Sequence, residues 1–206
     1  MLTVRPPSRG FTITEVLVAM AIIAIMLGLG VPSITTYIES AKLNSAAQGY
    51  LSGVQMARAT AIRQNLRTEF VLTDTPVDTA NLANVLAESA NGQNWVVRAV
   101  DPAQPPTTFV LIESKSANES SANATQSVEI VGLGAPAAFT GIVPFNGFGG
   151  TADNNNYTFR LRNLRGGACA PAGPMRCPTI LVPAGGLARI CDEQVSITTD
   201  SRGCFP

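Results

Sequence analysis

An uncharged apolar stretch close to the N-terminus constrains this chain more than any other feature of its 206 residues. Glu15 and Glu39 are separated by 23 residues without a charge, and residues 11–31 contain no charged residue other than Glu15. As a helix, residues 11–31 are about 30 Å long, which is the thickness of the hydrocarbon core of a bilayer. The only charges before this stretch are Arg5 and Arg9. A positive flank that precedes an apolar stretch predicts a cytoplasmic N-terminus and an exported remainder.

Two common explanations leave part of this segment unaccounted for. A cleaved secretory signal has an apolar stretch of about 7–15 residues and a site such as Ala19-Met20-Ala21, but cleavage there leaves most of the apolar residues on the mature chain. A plain membrane anchor explains the length and the orientation but not Glu15, since a carboxylate deep in a membrane helix costs about 3 kcal/mol or more. The residues around Glu15 therefore decide between the alternatives.

Residues 9–15, which read Arg-Gly-Phe-Thr-Ile-Thr-Glu, resemble the signal of type IV prepilins. The resemblance implies that a membrane aspartyl peptidase, the prepilin peptidase, cuts between Gly10 and Phe11 and methylates the new amino terminus of Phe11. Residues 1–10 are then a leader peptide. Glu15 becomes the fifth mature residue and is expected to dock against the α-amino group of a neighbouring subunit, because opposite charges attract strongly in apolar surroundings.

A proline inside the predicted N-terminal helix is expected to disturb it. Pro32 follows Gly28 and Gly30, and a proline within a helix removes one backbone hydrogen bond. From residue 37 the pattern becomes amphipathic, as in a helix half that packs on a globular domain. The apolar stripe recurs at steps of three and four residues and comprises Leu43, Ala47, Tyr50, Val54, Ala57 and Ala61. The sequence thus predicts one helix from residue 11 to about residue 64, bent or locally melted at Pro32.

A more specific pattern ends this helix. Residues 57–65 read Ala-Arg-Ala-Thr-Ala-Ile-Arg-Gln-Asn and precede a strand-like segment at residues 68–72. They resemble the segment shared by minor pilins and pseudopilins of the FimU, FimT and GspH type. Asn65 suits a left-handed C-cap, and Arg58 and Arg63 are expected to be solvated or to cover the last helical carbonyl groups.

Beyond residue 66, β-branched and aromatic residues alternate with turn formers, as in short strands. The predicted strands are residues 67–73, 95–100, 109–114, 127–131, 157–164, 179–182 and 188–196, and a short helix is predicted at residues 82–89. A long helix followed by strands that pack on its C-terminal half indicates the α+β class. With the resemblance, the expected fold is that of a type IV pilin, whose head domain contains an antiparallel sheet. Its parts are a leader at residues 1–10, a transmembrane and filament-core helix half at residues 11–36, and a globular head at residues 37–206.

Two later segments also resemble elements of this family. Residues 145–149, Phe-Asn-Gly-Phe-Gly, are similar to its Phe and Gly element between strands. Residues 184–189, Ala-Gly-Gly-Leu-Ala-Arg, stand where the family has Gly-Arg-any-Arg, with Leu187 in place of the first arginine. In the FimT branch, which binds DNA, that basic motif helps to form the binding surface. The substitution at Leu187 therefore weakens the interpretation of this chain as a DNA receptor.

The charge distribution keeps DNA as an alternative partner. Residues 151–206 contain six arginines and four acidic residues, whereas residues 66–150 contain three basic and eight acidic residues. The candidate DNA contacts are Arg160, Arg162 and Arg189. A mildly basic region beside an acidic one is nevertheless more typical of contacts between subunits than of a nucleic-acid surface.

All four cysteines lie near the C-terminus, at Cys169, Cys177, Cys191 and Cys204. They contain no C-x-x-C pair and the chain has no histidine, which argues against a zinc site or a redox centre. In an exported domain they are expected to form two disulfides. Cys177 with Cys191 across a hairpin, together with Cys169 with Cys204, is one possible pairing. The local pairing of Cys169 with Cys177 and Cys191 with Cys204 is another.

The sequence contains no pattern that predicts an enzyme, a cofactor site or a metal site. The absence of histidine excludes His-based catalytic triads, and neither a nucleophile elbow nor a phosphate-binding loop is present. The prediction is a minor pilin that primes or caps type IV pilus assembly, in a tip complex with other minor pilins and in contact with the major pilin. Before assembly it is expected in the inner membrane, with the head in the periplasm. The alternatives are a minor pseudopilin of a type II secretion system and a DNA-uptake receptor.

Overall fold

A computed structural model describes residues 11–75, 88–105, 107–116, 126–130, 140–163, 167–196, 198 and 200–205. For residues 27–36, 126–130, 163, 193, 196 and 205 it describes the backbone alone. The predicted leader at residues 1–10, which includes Gly10, lies outside these ranges. Most of the short helix predicted at residues 82–89 lies outside them as well. At its described end, Glu88 forms an isolated antiparallel bridge with Thr73 instead of a helical turn.

The helix α1 runs from Ile13 to Gln64, a length of 52 residues or about 78 Å. Asn65 ends it in the left-handed conformation at φ 51°, which confirms the predicted C-cap. The helix continues through Pro32, so the local melting predicted there is wrong, because losing one backbone bond leaves the turns on either side intact. The alternative, a bend at Pro32, stays a prediction. Within the part of the chain that the structure describes, no helix combines the length and the apolar composition needed to cross a membrane.

The C-terminal half of α1 packs on the head as its amphipathic pattern predicts. The six residues of the predicted stripe are all at most 4 % exposed: Leu43, Ala47, Tyr50, Val54, Ala57 and Ala61. The strands contribute the other side of this core, which includes Phe70, Trp95, Phe145, Phe159 and Ile180. Burial of one apolar face of α1 therefore holds this half of the helix to the head.

The described strands next to α1 form a four-stranded antiparallel sheet. It consists of β1 (Thr68–Thr73), β2 (Asn94–Val100), β3 (Phe109–Lys115) and β5 (Ile142–Phe145), in the order β3-β2-β1-β5. The sequence did not predict β5, which is four residues long and contains Pro144. Its place at the sheet edge explains how a proline is accommodated, since an edge strand has backbone groups that need no partner strand. This edge strand leads directly into residues 146–150.

A second described sheet has five strands. It consists of β4 (Gln126–Ile130), β6 (Tyr157–Asn163), β7 (Thr179–Val182), β8 (Arg189–Ser196) and β9 (Gly203–Phe205), in the order β4-β6-β7-β8-β9. The pairs are antiparallel except β8 with β9, which is parallel. The sequence also missed β9, whose three residues are too few to form a periodic pattern.

Aromatic side chains join α1 to both sheets. Phe70 of the first sheet stacks on Phe159 of the second, with ring centroids 6.2 Å apart and planes 11° apart. Tyr50 of α1 meets the same Phe159 edge-on at 6.5 Å, and its hydroxyl group donates to the backbone oxygen of Gln93 at 2.6 Å. The helix and the two sheets therefore share one core.

Candidate functional site

The first turn of α1 contains the predicted assembly residue Glu15. Thr12 is the N-cap, and its side-chain oxygen accepts a hydrogen bond from the backbone nitrogen of Glu15 at 3.3 Å. Glu15 thus occupies the third helical position, where a carboxylate also interacts favourably with the positive end of the helix. This local role was not predicted, although the spacing of Thr12 and Glu15 matches the Thr-x-x-Glu pattern of a capping box.

Large apolar side chains at Phe11 and in the first half of α1 are exposed. Phe11 is 83 % and Ile13 82 % exposed, and exposures of 48–69 % are found at Val16, Leu17, Val18, Met20, Ile22, Ile23, Ile25 and Met26. A continuous apolar surface of this extent marks a contact with a membrane or with other protein chains.

Three segments that are far apart in the sequence meet at the C-terminal end of α1. They are the last turns of the helix, the turn at residues 146–150 after β5, and the turn at residues 183–186 between β7 and β8. A cavity of about 450 Å³ lies between the helix and residues 186–188, beside the turn at residues 146–150. This cavity is called the helix-end cleft, and it is lined by Gln55, Arg58, Ala59, Ile62, Arg63, Gly186, Leu187 and Ala188. The three segments that resemble family elements therefore form one surface.

The turn after β5 is held by its own asparagine. The side-chain oxygen of Asn146 accepts from the backbone nitrogens of Phe148 at 3.0 Å and Gly150 at 3.2 Å. The backbone of Asn146 also accepts from the nitrogen of Gly149 at 2.9 Å. Phe148, at the tip of this turn, is 94 % exposed. The turn thus presents an aromatic ring to solvent on a backbone fixed by several hydrogen bonds.

Arg58 ties α1 to this turn. Its Nε donates to the backbone oxygen of Gly149 at 2.8 Å. The observed carbonyl partner of Arg58 is therefore in another segment and not at the end of the helix, and the side chain is half-buried. Arg63 lies in the last turn of α1, as expected of a basic residue at a helix C-terminus.

Glycine is required where the turns approach each other. Gly186 has φ +78°, and a Cβ atom added there would lie 1.9 Å from the backbone oxygen of Gly149. Gly149 has φ +83°, and a Cβ atom there would lie 2.6 Å from Cδ1 of Ile62. Larger residues would push the turns apart, so these two glycines set the shape of the helix-end cleft.

The three candidate DNA contacts lie on one face of the second sheet. Arg160 and Arg162 alternate along β6 with the buried Phe159 and Leu161, so they point away from the core. The register continues this face across β7 to Arg189, whose Nη1 donates to the backbone oxygen of Ser201 at 2.8 Å. The structure brings these arginines to one face but not into the helix-end cleft.

The cysteines form the local pairs, Cys169 with Cys177 and Cys191 with Cys204. The pairing of Cys177 with Cys191 is not adopted, because the register partner of Cys191 on β7 is Thr179, two residues beyond Cys177. On its other side β8 is paired with β9, which contains Cys204. Among the described residues, no group of three or more His, Cys, Asp or Glu side chains could hold a metal ion.

Two family profiles match the chain. The profile described as a prokaryotic N-terminal methylation motif matches residues 5–31. The profile described as type II transport protein GspH matches residues 46–180, more than half of the chain. No curated protein sequence is significantly similar to it.

Solved structures of pilin-like proteins are similar to this structure. A crystal structure of the type IV minor pilin FimU of Pseudomonas aeruginosa has a TM-score of 0.52 at 12 % identity, over 77 % of this chain and 95 % of that one. The minor pseudopilin EpsH of the type 2 secretion system of Vibrio cholerae has a TM-score of 0.44 at 9 % identity, over 75 % of this chain and 99 % of that one. The FimU likeness shows a shared fold. With the two profile matches, it follows that the chain belongs to the GspH family, as a type IV minor pilin or pseudopilin.

Proposed function

We propose that the chain is a minor pilin that primes or caps type IV pilus assembly, in a tip complex with other minor pilins. The observation that carries this proposal is the exposed apolar first half of α1, which begins two residues after the expected cleavage site and extends away from the head. An apolar surface of this extent is unfavourable in water. Lipid would bury it before assembly, and the helices of neighbouring subunits would bury it afterwards. It is a structural subunit with no catalytic role.

The proposed sequence of events begins in the inner membrane. Residues 11–36 lie in the bilayer, with the N-terminus cytoplasmic and the head periplasmic. The prepilin peptidase cuts between Gly10 and Phe11 and methylates Phe11. Glu15 then neutralises the α-amino group of a neighbouring pilin, because each charge alone is costly in apolar surroundings. The subunit leaves the membrane and takes its place near the pilus tip, against the major pilin and other minor pilins.

Mass spectrometry of the protein purified from its own host tests the processing step. The expected N-terminal peptide begins with N-methylated Phe11. A protein that retains Met1, or that is cut after Ala21, refutes the assignment as a prepilin.

Substitution of Glu15 tests the docking step. Glu15→Gln removes the charge and keeps the size of the side chain, and it should lower the amount of the subunit in sheared filaments by about tenfold or more. Thr12→Ala removes the helix cap but keeps the carboxylate, and Glu39→Gln removes a different carboxylate of α1. Both of these variants should enter filaments normally. Equal losses for Glu15→Gln and Thr12→Ala would assign the effect to helix capping and contradict docking.

A second candidate is a minor pseudopilin of a type II secretion system, which the match to the type II transport protein GspH family favours. Deletion of the gene separates the two candidates. Loss of surface pili with normal protein secretion supports the minor pilin, whereas loss of secretion with normal pili supports the pseudopilin.

A further inference from the structure

The helix-end cleft combines positive charge with apolar surface. Arg58 uses its Nε on the oxygen of Gly149, which fixes the direction of the guanidinium group. Within the described residues, neither Arg58 nor Arg63 forms an ion pair with a carboxylate. Both side chains line the cleft, and they therefore favour a negatively charged group there.

Two apolar side chains that line the cleft are exposed, and a third is exposed on the neighbouring turn at residues 146–150. Ile62 is 46 %, Leu187 68 % and Phe148 94 % exposed. Gly149 brings the Phe148 turn against Ile62, and Gly186 precedes Leu187, so all three belong to one surface. Exposed aromatic and aliphatic side chains on a rigid backbone are typical anchors of a protein contact, because little conformational entropy is lost when they are buried.

This combination of groups limits the kind of partner. Leu187 lines the cleft, and a phosphate backbone would gain nothing from an aliphatic side chain there. A polypeptide segment that carries a carboxylate next to an apolar side chain matches both the arginines and the apolar border. A volume of about 450 Å³ holds a few side chains and no globular element.

The position of the cleft on α1 indicates where such a segment comes from. Exposed residues form a strip along one side of the helix, from the cleft back to the apolar first half: Ala59, Gln55, Ser52, Gln48, Ser45, Ala41 and Ile38. A chain that packs along the first half of α1 therefore has an open path to the cleft. We propose that the helix-end cleft is a docking surface for a neighbouring pilin-like subunit, which inserts an apolar side chain flanked by an acidic residue. This inference rests on the proposed function, since it requires assembly with other pilins.

Photo-cross-linking of the full chain in its own host tests the proposal. The photo-reactive residue p-benzoylphenylalanine replaces one of three residues. They are Phe148 on the turn beside the cleft, Leu17 in the first half of α1, and Val110 on β3, at the opposite edge of the first sheet from β5. The expected adduct from position 148 is a peptide of another pilin-like subunit that contains Asp or Glu, and position 110 should not give that peptide. An adduct with nucleic acid, or with a protein of another class, overturns the proposal.

Cross-linking at position 17 tests the proposed function independently of the cleft proposal. If position 17 cross-links to pilin-like subunits and position 148 does not, assembly stands and the cleft proposal fails. If neither position cross-links to a pilin-like subunit, both fail.

Charge reversal tests the role of the arginines. Arg63→Glu should reduce the position 148 adduct by about tenfold or more, whereas Arg63→Lys should retain it. Replacement of the mapped acidic residue of the partner by lysine should restore the adduct to Arg63→Glu. An unchanged adduct in Arg63→Glu, or the absence of any rescue, overturns the proposed charge pairing.

DNA binding is measured in parallel on the full chain in detergent, with a fluorescently labelled duplex at two salt concentrations. Salt-dependent binding that Arg63→Glu abolishes would assign the cleft to nucleic acid and overturn the proposal. The unmodified chain, Arg63→Glu and Arg63→Lys should have equal unfolding temperatures. Equal temperatures establish that differences in cross-linking or DNA binding arise from the surface and not from loss of the fold.

Discussion

Arg98 on β2 donates to Glu69, its register partner on β1, from both Nε and Nη2 at 2.8 Å. Glu69 is 2 % and Arg98 6 % exposed, and the ring of Phe109 lies 4.3 Å from the guanidinium carbon of Arg98. The charges of this pair are thus satisfied inside the first sheet. Glu69 also binds the exposed Arg67 at 2.8 Å.

Loss of the Glu69 carboxylate should destabilise the head strongly. Glu69→Ala leaves the buried Arg98 with the partly exposed Glu88, 3.0 Å from its Nη2, as its remaining carboxylate partner. Removing one partner of a buried ion pair typically costs about 3–5 kcal/mol, and Glu88 should offset part of that loss. Arg67→Ala removes an exposed partner of the same carboxylate and should cost less than about 1 kcal/mol. Chemical unfolding of the full chain in detergent measures both. Similar small losses for the two variants would mean that the buried pair contributes little.

Gly186→Ala should deform the helix-end cleft. The added Cβ atom would be 1.9 Å from the oxygen of Gly149, and the positive φ of Gly186 is unfavourable for alanine. Strain of this kind costs about 1–3 kcal/mol. Gly185→Ala is the matched control, because a Cβ atom there meets nothing within 4 Å. Thermal unfolding should show a lower midpoint for Gly186→Ala alone, and equal midpoints would contradict the close approach of the two turns.

Peptide mapping under non-reducing conditions should identify the two local disulfides. Trypsin cleaves after Arg165, Arg176, Arg189 and Arg202, so each cysteine falls on a separate peptide. The linked pairs should be residues 166–176 with 177–189, and residues 190–202 with 203–206. A link between residues 177–189 and 190–202 would instead indicate the pairing of Cys177 with Cys191.

Reduction of these disulfides should lower stability by different amounts. The bonds close segments of 8 and 13 residues, for which the entropic contribution is about 2–3 kcal/mol each and slightly larger for Cys191 with Cys204. Paired Cys→Ser variants, compared by chemical unfolding, measure each contribution. A variant as stable as the unmodified chain would contradict a stabilising role for that bond.

Asp153 should make the head sensitive to acid. Burial alone would raise the pKa of Asp153, but hydrogen bonds from Tyr157 and Asn155 outweigh it and hold the pKa below its ordinary value. A carboxyl group with a lowered pKa in the folded state stabilises that state above its ordinary pKa of about 4, and this stabilisation is lost as pH falls through the folded-state pKa. Tyr157→Phe removes one of these bonds and should raise the pKa of Asp153.

Carboxyl-carbon NMR titration measures this change. Asp200 is the internal control, because hydrogen bonds from Arg202 hold its pKa at about 2 independently of Tyr157. A Tyr157→Phe protein in which Asp153 titrates as before, or in which Asp200 shifts equally, would contradict the assignment of the effect to this contact.

The regular elements of this fold follow from local sequence patterns. The stripe from Leu43 to Ala61 and the end of α1 at Asn65 are confirmed, since helical spacing and a capping residue can be seen within a few residues of sequence. The strand at Thr179–Val182 also has the predicted bounds. The edge strand at Ile142–Phe145 was missed because its proline argues against a strand, and only its position at the sheet edge makes it acceptable.

The candidate site was predicted less completely, because it is formed by long-range contacts. Arg58 and Gly149 are 91 residues apart, and no local pattern connects them. The sequence identified each of the three segments separately through its resemblance to the family. The three segments lie close together because β5 and β7 are positioned against the end of α1. That positioning results from the tertiary packing of the sheets and cannot be predicted from any single segment.

The continuity of α1 has a mechanical consequence. About 45 Å of helix precedes Leu43, and the same hydrogen-bonded rod then enters the core without an intervening loop. A flexible linker would let the head rotate relative to the helix. Under tension such a linker would first extend, at the cost of its own conformational entropy. Here the orientation of the head follows the orientation of the helix. A tensile force along the helix axis therefore acts directly on the buried face of the helix and on the sheets packed against it.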